Sequence, residues 1–204
     1  MTDRKGTLFV LTGPSGVGKG TVLSAFFDKY GRDGFFFSVS ATTRAPREGE
    51  VEGVNYYYKT HEEFQKMVDN NEFLEHATFC ENRYGTPAAP VDKELENGKN
   101  VILEIEVEGG LNVMKIRPDA TFIFVAPPSF DELERRIRGR NTETEEVIAQ
   151  RLQKARWELS KMGEYDYIVV NREVDKACDQ LRAIVDAEGL KTSNNQKFIK
   201  EVQR

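Results

Sequence analysis

Cysteine, basic charge and long apolar stretches are all scarce in this sequence of 204 residues. Its two cysteines, Cys80 and Cys178, are far apart and lack the spacing of a metal-binding pair, so we expect free thiols. The apolar stretches have only the length of strands, which argues against a membrane span. With no signal-peptide pattern either, these features favour a cytoplasmic protein.

The charge balance excludes another class of partner. The net charge is −5 and the isoelectric point is about 5.3, so no basic excess exists to replace the counterions of a nucleic acid. Hydrophobic residues make up 39% of the chain and charged residues 31%, which indicates a large exposed surface or a cleft. The length suits one compact domain that can carry small inserted subdomains.

The strongest motif lies near the N-terminus, where an apolar run leads into a glycine-rich turn and then a helix-like segment. The turn comprises Gly13, Pro14, Ser15, Gly16, Val17, Gly18, Lys19, Gly20 and Thr21. Glycines let backbone N–H groups approach phosphate oxygens, the helix N-terminus adds positive potential, and Lys19 can reach β- and γ-phosphates. The pattern predicts a phosphate-binding loop; the alternative is a plain turn between strand and helix.

A second candidate anion site lies in the loop that follows the next apolar run. Arg44 and Arg47 stand three residues apart, close to the hydroxyl groups of Ser40, Thr42 and Thr43. A guanidinium group binds phosphate through two parallel hydrogen bonds, so the segment could hold a second phosphate. The two arginines are equally well explained as solvated surface charges.

The order of predicted elements indicates an α/β fold with a mainly parallel sheet flanked by helices. Residues 1–34 and 91–204 alternate between apolar strands and amphipathic helices, whereas residues 35–90 are rich in short strands and aromatic residues. We therefore predict a core formed by the first two segments and a β-rich subdomain, residues 35–90, inserted into it. Residues 189–204 are predicted to form a frayed tail or a small late helix.

Two further groups of charged residues fit phosphate chemistry. Glu104 and Glu106 end a predicted strand, where they could serve a Mg²⁺ ion or an acceptor site, or simply face solvent. Arg136, Arg140 and Arg151 flank a basic turn that could close as a lid, at about residues 135–147, over a transferring phosphoryl group. For the first of these arginines, a solvated helix face is an equal alternative.

Several short motifs, in order along the chain, resemble those of bacterial-type guanylate kinases. They are residues 40–50, 71–75, 84–86, 102–106 and 139–144, and the resemblance extends over roughly residues 5–188. It implies a P-loop kinase that transfers the γ-phosphoryl group of ATP to GMP or dGMP with Mg²⁺, in purine nucleotide recycling. It implies no nucleic-acid or membrane partner, and we expect a monomer or a homodimer.

The resemblance also assigns residues to roles. The implied catalytic residues are Lys19, Arg44, Arg136, Arg140 and Arg151. ATP would be bound by the loop from Gly13 to Thr21 and by Asn171, which falls where the family lines its adenine pocket. GMP would be bound in the inserted subdomain by Ser40, Arg44, Arg47, Glu50, Tyr56, Glu75, Tyr84 and Thr86, and approached by Glu104.

Within that acceptor set, the resemblance implies two tasks. Arg44, Arg47, Tyr56 and Tyr84 would hold the phosphate of GMP. The guanine base would be read by Ser40, Glu75 and Thr86. Guanine presents two adjacent donors, N1–H and N2–H₂, and a single carboxylate can accept both, whereas adenine would leave that carboxylate unpaired.

The sequence departs from the family pattern at three places, which concern the details of the metal and adenine contacts. Gly20 replaces the hydroxyl residue that usually contacts Mg²⁺, so the ion is expected to be held mainly by phosphates and water, with Thr21 as a candidate ligand. Glu108 stands before Gly109 where Gln-Gly is commoner, and Arg172 follows Asn171 in place of an aspartate.

Two alternatives to a GMP kinase remain open. One is a catalytically inactive guanylate-kinase-like module that binds proteins, although such modules typically have degraded phosphate loops and this loop is intact. The other is a kinase for a different phosphorylated acceptor on the same scaffold, against which Glu75 and Thr86 argue.

Overall fold

The apolar run at the start of the chain forms a strand whose five residues are all buried. The computed structural model describes residues 5–79, 81–139 and 144–204. In chain order the strands are β1 (Leu8–Thr12), β2 (Phe35–Phe37), β3 (Ala41–Thr42), β4 (Tyr57–Tyr58), β5 (Phe73–Phe79), β6 (Asn82–Pro87), β7 (Asn100–Glu104), β8 (Thr121–Ala126) and β9 (Tyr167–Val170). The helices are α1 (Lys19–Tyr30), α2 (His61–Asp69), α3 (Ala88–Glu96), α4 (Val107–Ile116), α5 (Phe130–Arg138), α6 (Glu145–Ser160), α7 (Val174–Leu190) and α8 (Gln196–Val202).

Five strands form a sheet in the order β2-β7-β1-β8-β9, and all of its neighbouring pairs are parallel. Apolar residues on β1 alternate between two clusters: Phe9 and Leu11 pack with residues of α1 and α7, and Leu8 and Val10 pack with residues of α3. The sheet is therefore covered by helices on both faces, which confirms the predicted α/β architecture. It also brings the carboxyl ends of β1, β7 and β9 to one edge, where ligands bind in such folds.

Four short strands between α1 and α3 form a separate sheet in the order β4-β3-β6-β5. Its largest pairing is the antiparallel one between β5 and β6. Strand β2, by contrast, pairs with β7 in the core sheet, and Phe35 packs edge-on against Phe26 and Phe27 of α1. The inserted subdomain that we propose therefore begins after Phe37, not at residue 35.

The last third of the chain contains the longest helices. Helix α6, Glu145–Ser160, is followed by a 3₁₀ turn at Met162–Glu164. On α6, Ile148 is buried, whereas its neighbour Val147 is 40% exposed. Beyond α7, a 3₁₀ turn leads into α8, so the tail contains the small late helix.

Two other sequence predictions concern cysteines and membranes. Cys178 is a buried free thiol on α7, whereas Cys80 lies outside the described residues. None of the helices in the described part of the chain is long and apolar enough to cross a membrane.

Candidate active site

The glycine-rich turn runs from the end of β1 to the start of α1, and its backbone explains two of its glycines. Gly13 has φ +144°, and a Cβ atom there would lie 2.3 Å from the carbonyl oxygen of Val125 on β8. Gly18, at φ +93°, immediately precedes α1, and a Cβ atom would lie 2.7 Å from Nδ2 of Asn171. Only glycine fits both positions, and the resulting loop presents its N–H groups at a helix N-terminus.

Lys19 is the first residue of α1, and its side chain folds back across the loop. Its Nζ donates to the carbonyl oxygens of Gly13 at 2.6 Å and Pro14 at 3.4 Å. Burial lowers the pKa of Lys19, and the nearby carboxylates of Glu104 and Glu158 oppose that shift. The ammonium group thus lies at the loop, among carboxylates that favour its charged form.

Two of the three predicted arginines of the α5–α6 region contact this loop. Arg151 donates from Nη2 to Oγ of Ser15 at 2.8 Å. Arg136 donates to the carbonyl oxygens of Val17 at 3.2 Å and Asn171 at 3.0 Å, and it pairs with Glu132 at 2.8 Å. Arg140, the third, lies outside the described residues, as does part of the lid predicted at about residues 135–147.

Asn171 follows β9 and joins the sheet to the loop. Its side-chain Nδ2 donates to the Val17 carbonyl oxygen at 2.8 Å, and its main-chain N–H donates to Ala126 at 2.8 Å. The side chain is buried. Asn171 therefore supports the loop from the neighbouring strand, beside Arg136.

Glu104 ends β7, immediately next to β1, and lies near the N-terminus of α1. Its two carboxylate oxygens would be 3.6 and 3.8 Å from a Cβ atom added to Gly20. Burial raises the pKa of Glu104, and Lys19 opposes that shift. Glu106, which immediately precedes α4, instead pairs with Lys154 of α6 at 2.6 Å.

The predicted second anion site contains an internal ion pair. Arg44 donates from Nη2 to both carboxylate oxygens of Glu50, at 2.8 and 3.0 Å. The Tyr58 hydroxyl at 2.8 Å and the Arg47 main-chain N–H at 2.7 Å also donate to Glu50. Chiefly because of the hydrogen bond from Arg44, the pKa of Glu50 falls to about 2.

Aromatic rings complete this cluster. The guanidinium carbon of Arg44 lies 5.4 Å from the ring centroid of Tyr56. The rings of Tyr56 and Tyr84 are 6.0 Å apart in an edge-to-face arrangement. The structure thus brings Arg44, Glu50, Tyr56 and Tyr84 together, whereas Arg47 contributes its main chain and keeps an exposed side chain.

Glu75 and Thr86 face each other across the β5–β6 pairing. Oγ1 of Thr86 donates to Oε1 of Glu75 at 2.7 Å. Burial raises the pKa of Glu75, and the hydrogen bonds from Thr86 oppose that shift. On its other side, Oε2 of Glu75 would lie 3.0 Å from a Cβ atom on Gly109 of α4, so the carboxylate sits between the small sheet and the core. Ser40, the third predicted base-reading residue, immediately precedes β3.

Comparison with known proteins decides how this arrangement is classified. The family model described as guanylate kinase matches residues 5–188 of the chain. The chain belongs to the guanylate kinase family. It is 50% identical over 202 residues to a guanylate kinase of Bacillus anthracis, a match that covers 99% of this chain and 98% of the relative.

Other guanylate kinases give the same result. A relative from Bacillus subtilis (strain 168) is 51% identical over 187 residues, with 92% of this chain and 91% of the relative covered. Among solved structures, guanylate kinase from Anaplasma phagocytophilum matches with a TM-score of 0.73 and 34% identity, covering 95% of this chain and 92% of that one. The protein is therefore an enzyme of the guanylate kinase family, a nucleotide-binding transferase with a P-loop kinase fold.

Some residues at the guanylate kinase site were not identified from the sequence. Gly109 was noticed only as part of a departure from the family pattern, and it provides the space in which Glu75 is held. Glu158 of α6 is buried next to the loop and was not singled out at all. Its spacing of seven residues from Arg151, two helical turns, was the available signal.

Proposed function

We propose that this guanylate kinase transfers the γ-phosphoryl group of ATP to GMP and dGMP, giving ADP with GDP or dGDP. The observation that carries the proposal is the half-buried carboxylate of Glu75, which accepts a hydrogen bond from Thr86 at 2.7 Å in the inserted subdomain. Removing a carboxylate from water is unfavourable unless hydrogen-bond donors meet it. Guanine supplies two such donors on one edge.

Guanine selectivity follows from this geometry. Thr86 occupies one oxygen of Glu75, and the other lies against α4 at Gly109. N1–H and N2–H₂ of guanine would donate to the carboxylate, while adenine would place a lone pair against it. A site of this type can discriminate by about 10⁴-fold. Ser40 is the additional base contact that we propose.

The phosphate of GMP is assigned to the cluster around Arg44. Arg44, Arg47, Tyr56 and Tyr84 are its proposed ligands. Glu50 holds the Arg44 guanidinium from one side, through Nη2, which orients the group without using all five of its N–H donors. A phosphate is then recognised by a preorganised guanidinium group and phenolic hydroxyls.

ATP is assigned to the loop from Gly13 to Thr21, with its β- and γ-phosphates at Lys19. Asn171, whose side chain donates to the Val17 carbonyl oxygen, forms the proposed adenine side of the loop. We propose that Arg136 and Arg151, together with Arg140 in a lid of about residues 135–147, stabilise the negative charge on the transferring group. Such electrostatic stabilisation supplies most of the catalysis in phosphoryl transfer.

Mg²⁺ is the usual cofactor of such a reaction, and the donor set near the loop fits it. Glu104 and the exposed hydroxyl residue Thr21 offer the oxygen ligands that Mg²⁺ prefers. In the described part of the chain, no group of three His, Cys, Asp or Glu residues could hold a metal ion by itself. We therefore propose that phosphates and water hold the ion, with Glu104 and Thr21 beside it, and that it neutralises phosphate charge.

The biological setting that we propose is purine nucleotide recycling in the cytoplasm, by a monomer or homodimer without nucleic-acid or membrane partners. The reaction is tested by measuring ADP production with GMP, dGMP, AMP, UMP and CMP as acceptors. We expect turnover with GMP and dGMP and little with the others. No ADP with any acceptor would favour a protein-binding module, and preference for a non-guanine acceptor would favour a different kinase.

A further inference from the structure

The carboxylate of Glu50, which holds Arg44 in the acceptor cluster, accepts hydrogen bonds from three groups in the described part of the chain. Nη2 of Arg44 donates to Oε1 at 2.8 Å and to Oε2 at 3.0 Å. Oε2 also accepts from the main-chain N–H of Arg47 at 2.7 Å and from the hydroxyl group of Tyr58 at 2.8 Å. The proposed function gives a role to Arg44 and Arg47 but none to Tyr58.

Tyr58 differs from the other two donors in where it lies. Arg44 and Arg47 belong to the loop between β3 and β4, as Glu50 does, so their bonds to Glu50 are internal to that loop. Tyr58 belongs to β4 itself and pairs with Thr42 of β3. Its hydroxyl group therefore attaches the carboxylate of Glu50, and with it the Arg44 guanidinium group, to the small sheet.

Tyr58 is itself held firmly in place. Its main-chain N–H donates to Oε2 of Glu52 at 2.8 Å. The next N–H, that of Lys59, donates to the carbonyl oxygen of Thr42 at 2.8 Å. The ring of Tyr58 lies 6.1 Å from that of Tyr56 in a tilted arrangement. A hydroxyl group carried by a paired strand and a packed ring can fix the position of its acceptor.

Packing of the ring does not account for the hydroxyl group. Tyr58 is half-buried, and a phenylalanine ring would fill the same space. Burial, together with the hydrogen bond to Glu50, raises the pKa of Tyr58, so the hydroxyl group keeps its proton at neutral pH. That single proton is donated to Glu50 and is not available to a phosphate. Tyr58 is thus placed to orient the carboxylate, not to bind a phosphate itself.

We propose that Tyr58 is a positioning residue for the phosphate of GMP, which acts through Glu50 by fixing the direction of the Arg44 guanidinium group. The inference rests on the proposed function in one respect, that the cluster around Arg44 binds this phosphate. The side chains of Arg44 and Glu50 are 16% and 19% exposed, so their pairing lies in a partly desolvated site where electrostatic interactions are strong. Without the hydroxyl group, the carboxylate can move with its loop, and one donor fewer offsets its charge beside an anionic substrate.

The first test is Tyr58→Phe, which removes the hydroxyl group and keeps the ring. Affinity for GMP, measured by calorimetry, should fall about three- to tenfold, as expected for loss of one hydrogen bond that acts indirectly. Affinity for guanosine, measured as competitive inhibition against GMP, should stay within about 1.5-fold of wild type, because guanosine has no phosphate. KM for GMP should rise with the loss of affinity, while kcat and KM for ATP stay within about twofold.

Tyr57→Phe is the matched control. Tyr57 precedes Tyr58 on β4, is also half-buried, and points to the opposite face of the strand. Its ring lies beside Gly53, 3.6 Å from where a Cβ atom would be. The control removes a hydroxyl group from the same strand and should leave GMP affinity within about 1.5-fold of wild type. An equal loss of affinity in both variants would assign the effect to a general change in β4 and overturn the proposal.

A double-mutant cycle tests whether Tyr58 acts through Glu50. In Glu50→Ala the acceptor is absent, so adding Tyr58→Phe should change kcat/KM for GMP by less than about 1.5-fold. An equal effect of Tyr58→Phe in the wild type and in Glu50→Ala would overturn the proposal. So would a Tyr58→Phe protein with the GMP affinity of wild type, or one that loses affinity for GMP and guanosine equally.

These results are separate from those that test the proposed function. A wild-type protein that binds GMP but forms no GDP would overturn the proposed reaction, and the binding comparison would still decide the role of Tyr58. A wild-type protein that converts GMP, while its Tyr58→Phe variant binds GMP normally, would overturn the role of Tyr58 only. A wild-type protein that does not bind GMP would overturn both.

Discussion

Replacing Glu75 by glutamine separates base recognition from folding. The change keeps the size of the side chain and one acceptor oxygen for Thr86, whose hydroxyl donates to Oε1 at 2.7 Å. It replaces the second oxygen, beside Gly109, by an amide group that donates hydrogen bonds. The two N–H donors of guanine would then meet a neutral side chain that offers a donor where an acceptor is needed.

The cost to GMP can be worked out from these contacts. A hydrogen bond to a charged group contributes about 1.5–3 kcal/mol, and a buried donor left unpaired adds to the loss, so we expect about 2–4 kcal/mol in total. At about 1.4 kcal/mol per tenfold change, kcat/KM for GMP should fall about 30- to 1,000-fold. Activity with AMP should be unchanged or slightly higher, because the amide can donate to N1 of adenine.

Stability should change in the opposite direction. Burial raises the pKa of Glu75 above 4.5 in the folded protein, so the folded state binds the proton more tightly than the unfolded state. The free energy of unfolding therefore falls as the pH rises from about 4.5 through the raised pKa of Glu75. At neutral pH the ionised carboxylate thus lowers the stability of the folded state. Glu75→Gln removes this cost, and its free energy of unfolding in urea at neutral pH should equal or exceed that of wild type.

The assay is ADP production with GMP and with AMP, combined with urea denaturation of both proteins. We expect a large fall in the GMP-to-AMP ratio of kcat/KM, with no loss of stability. An unchanged ratio would refute base reading by Glu75. A lower ratio accompanied by a clear loss of stability would refute the argument that this carboxylate is kept at the expense of folding.

Three further predictions concern other parts of the site. Lys19→Ala should lower kcat about 10²- to 10³-fold in a steady-state assay while GMP affinity stays the same, and an active variant would remove Lys19 from catalysis. Gly109→Ala puts a Cβ atom 3.0 Å from Oε2 of Glu75, so the carboxylate should be displaced and KM for GMP should rise severalfold. This loss is expected even though alanine favours the helix more than glycine does. An unchanged KM would show that the carboxylate has room to move. Since Arg44 lowers the pKa of Glu50 to about 2, their pair should stabilise the protein above pH 4.5 and lose this effect as the pH falls toward 2. In Glu50→Gln, the free energy of unfolding should therefore depend less on pH in that range. The same pH dependence in variant and wild type would contradict the pairing.

The parts of the fold that depend on local sequence could be predicted. An apolar run, glycines and a lysine suffice to identify the β1–loop–α1 unit, because the whole pattern lies within one continuous stretch of the sequence. The reason why Gly13 must be glycine was not accessible, since it is the carbonyl group of Val125 on β8, more than a hundred residues away. Likewise, only the tertiary structure shows that Phe35–Phe37 pair with the core sheet.

The same distinction applies to the site. Arg44 and Glu50 were both expected near the acceptor, but their bidentate pairing depends on how the intervening loop folds. Glu158 has the appearance of an ordinary polar residue on an exposed helix. Its burial arises only when α6 packs against the phosphate loop, where Arg151 contacts Ser15.

The most direct test of the account is to follow the γ-phosphoryl group itself. The purified protein is incubated with Mg²⁺, GMP and ATP that carries radioactive phosphorus in its γ-phosphate, and the products are separated. We predict that the label appears in the β-phosphate of GDP, and that AMP in place of GMP gives almost no labelled product. Label that stays in ATP, is released only as inorganic phosphate, or is transferred equally well to AMP would contradict a guanine-specific phosphoryl transfer.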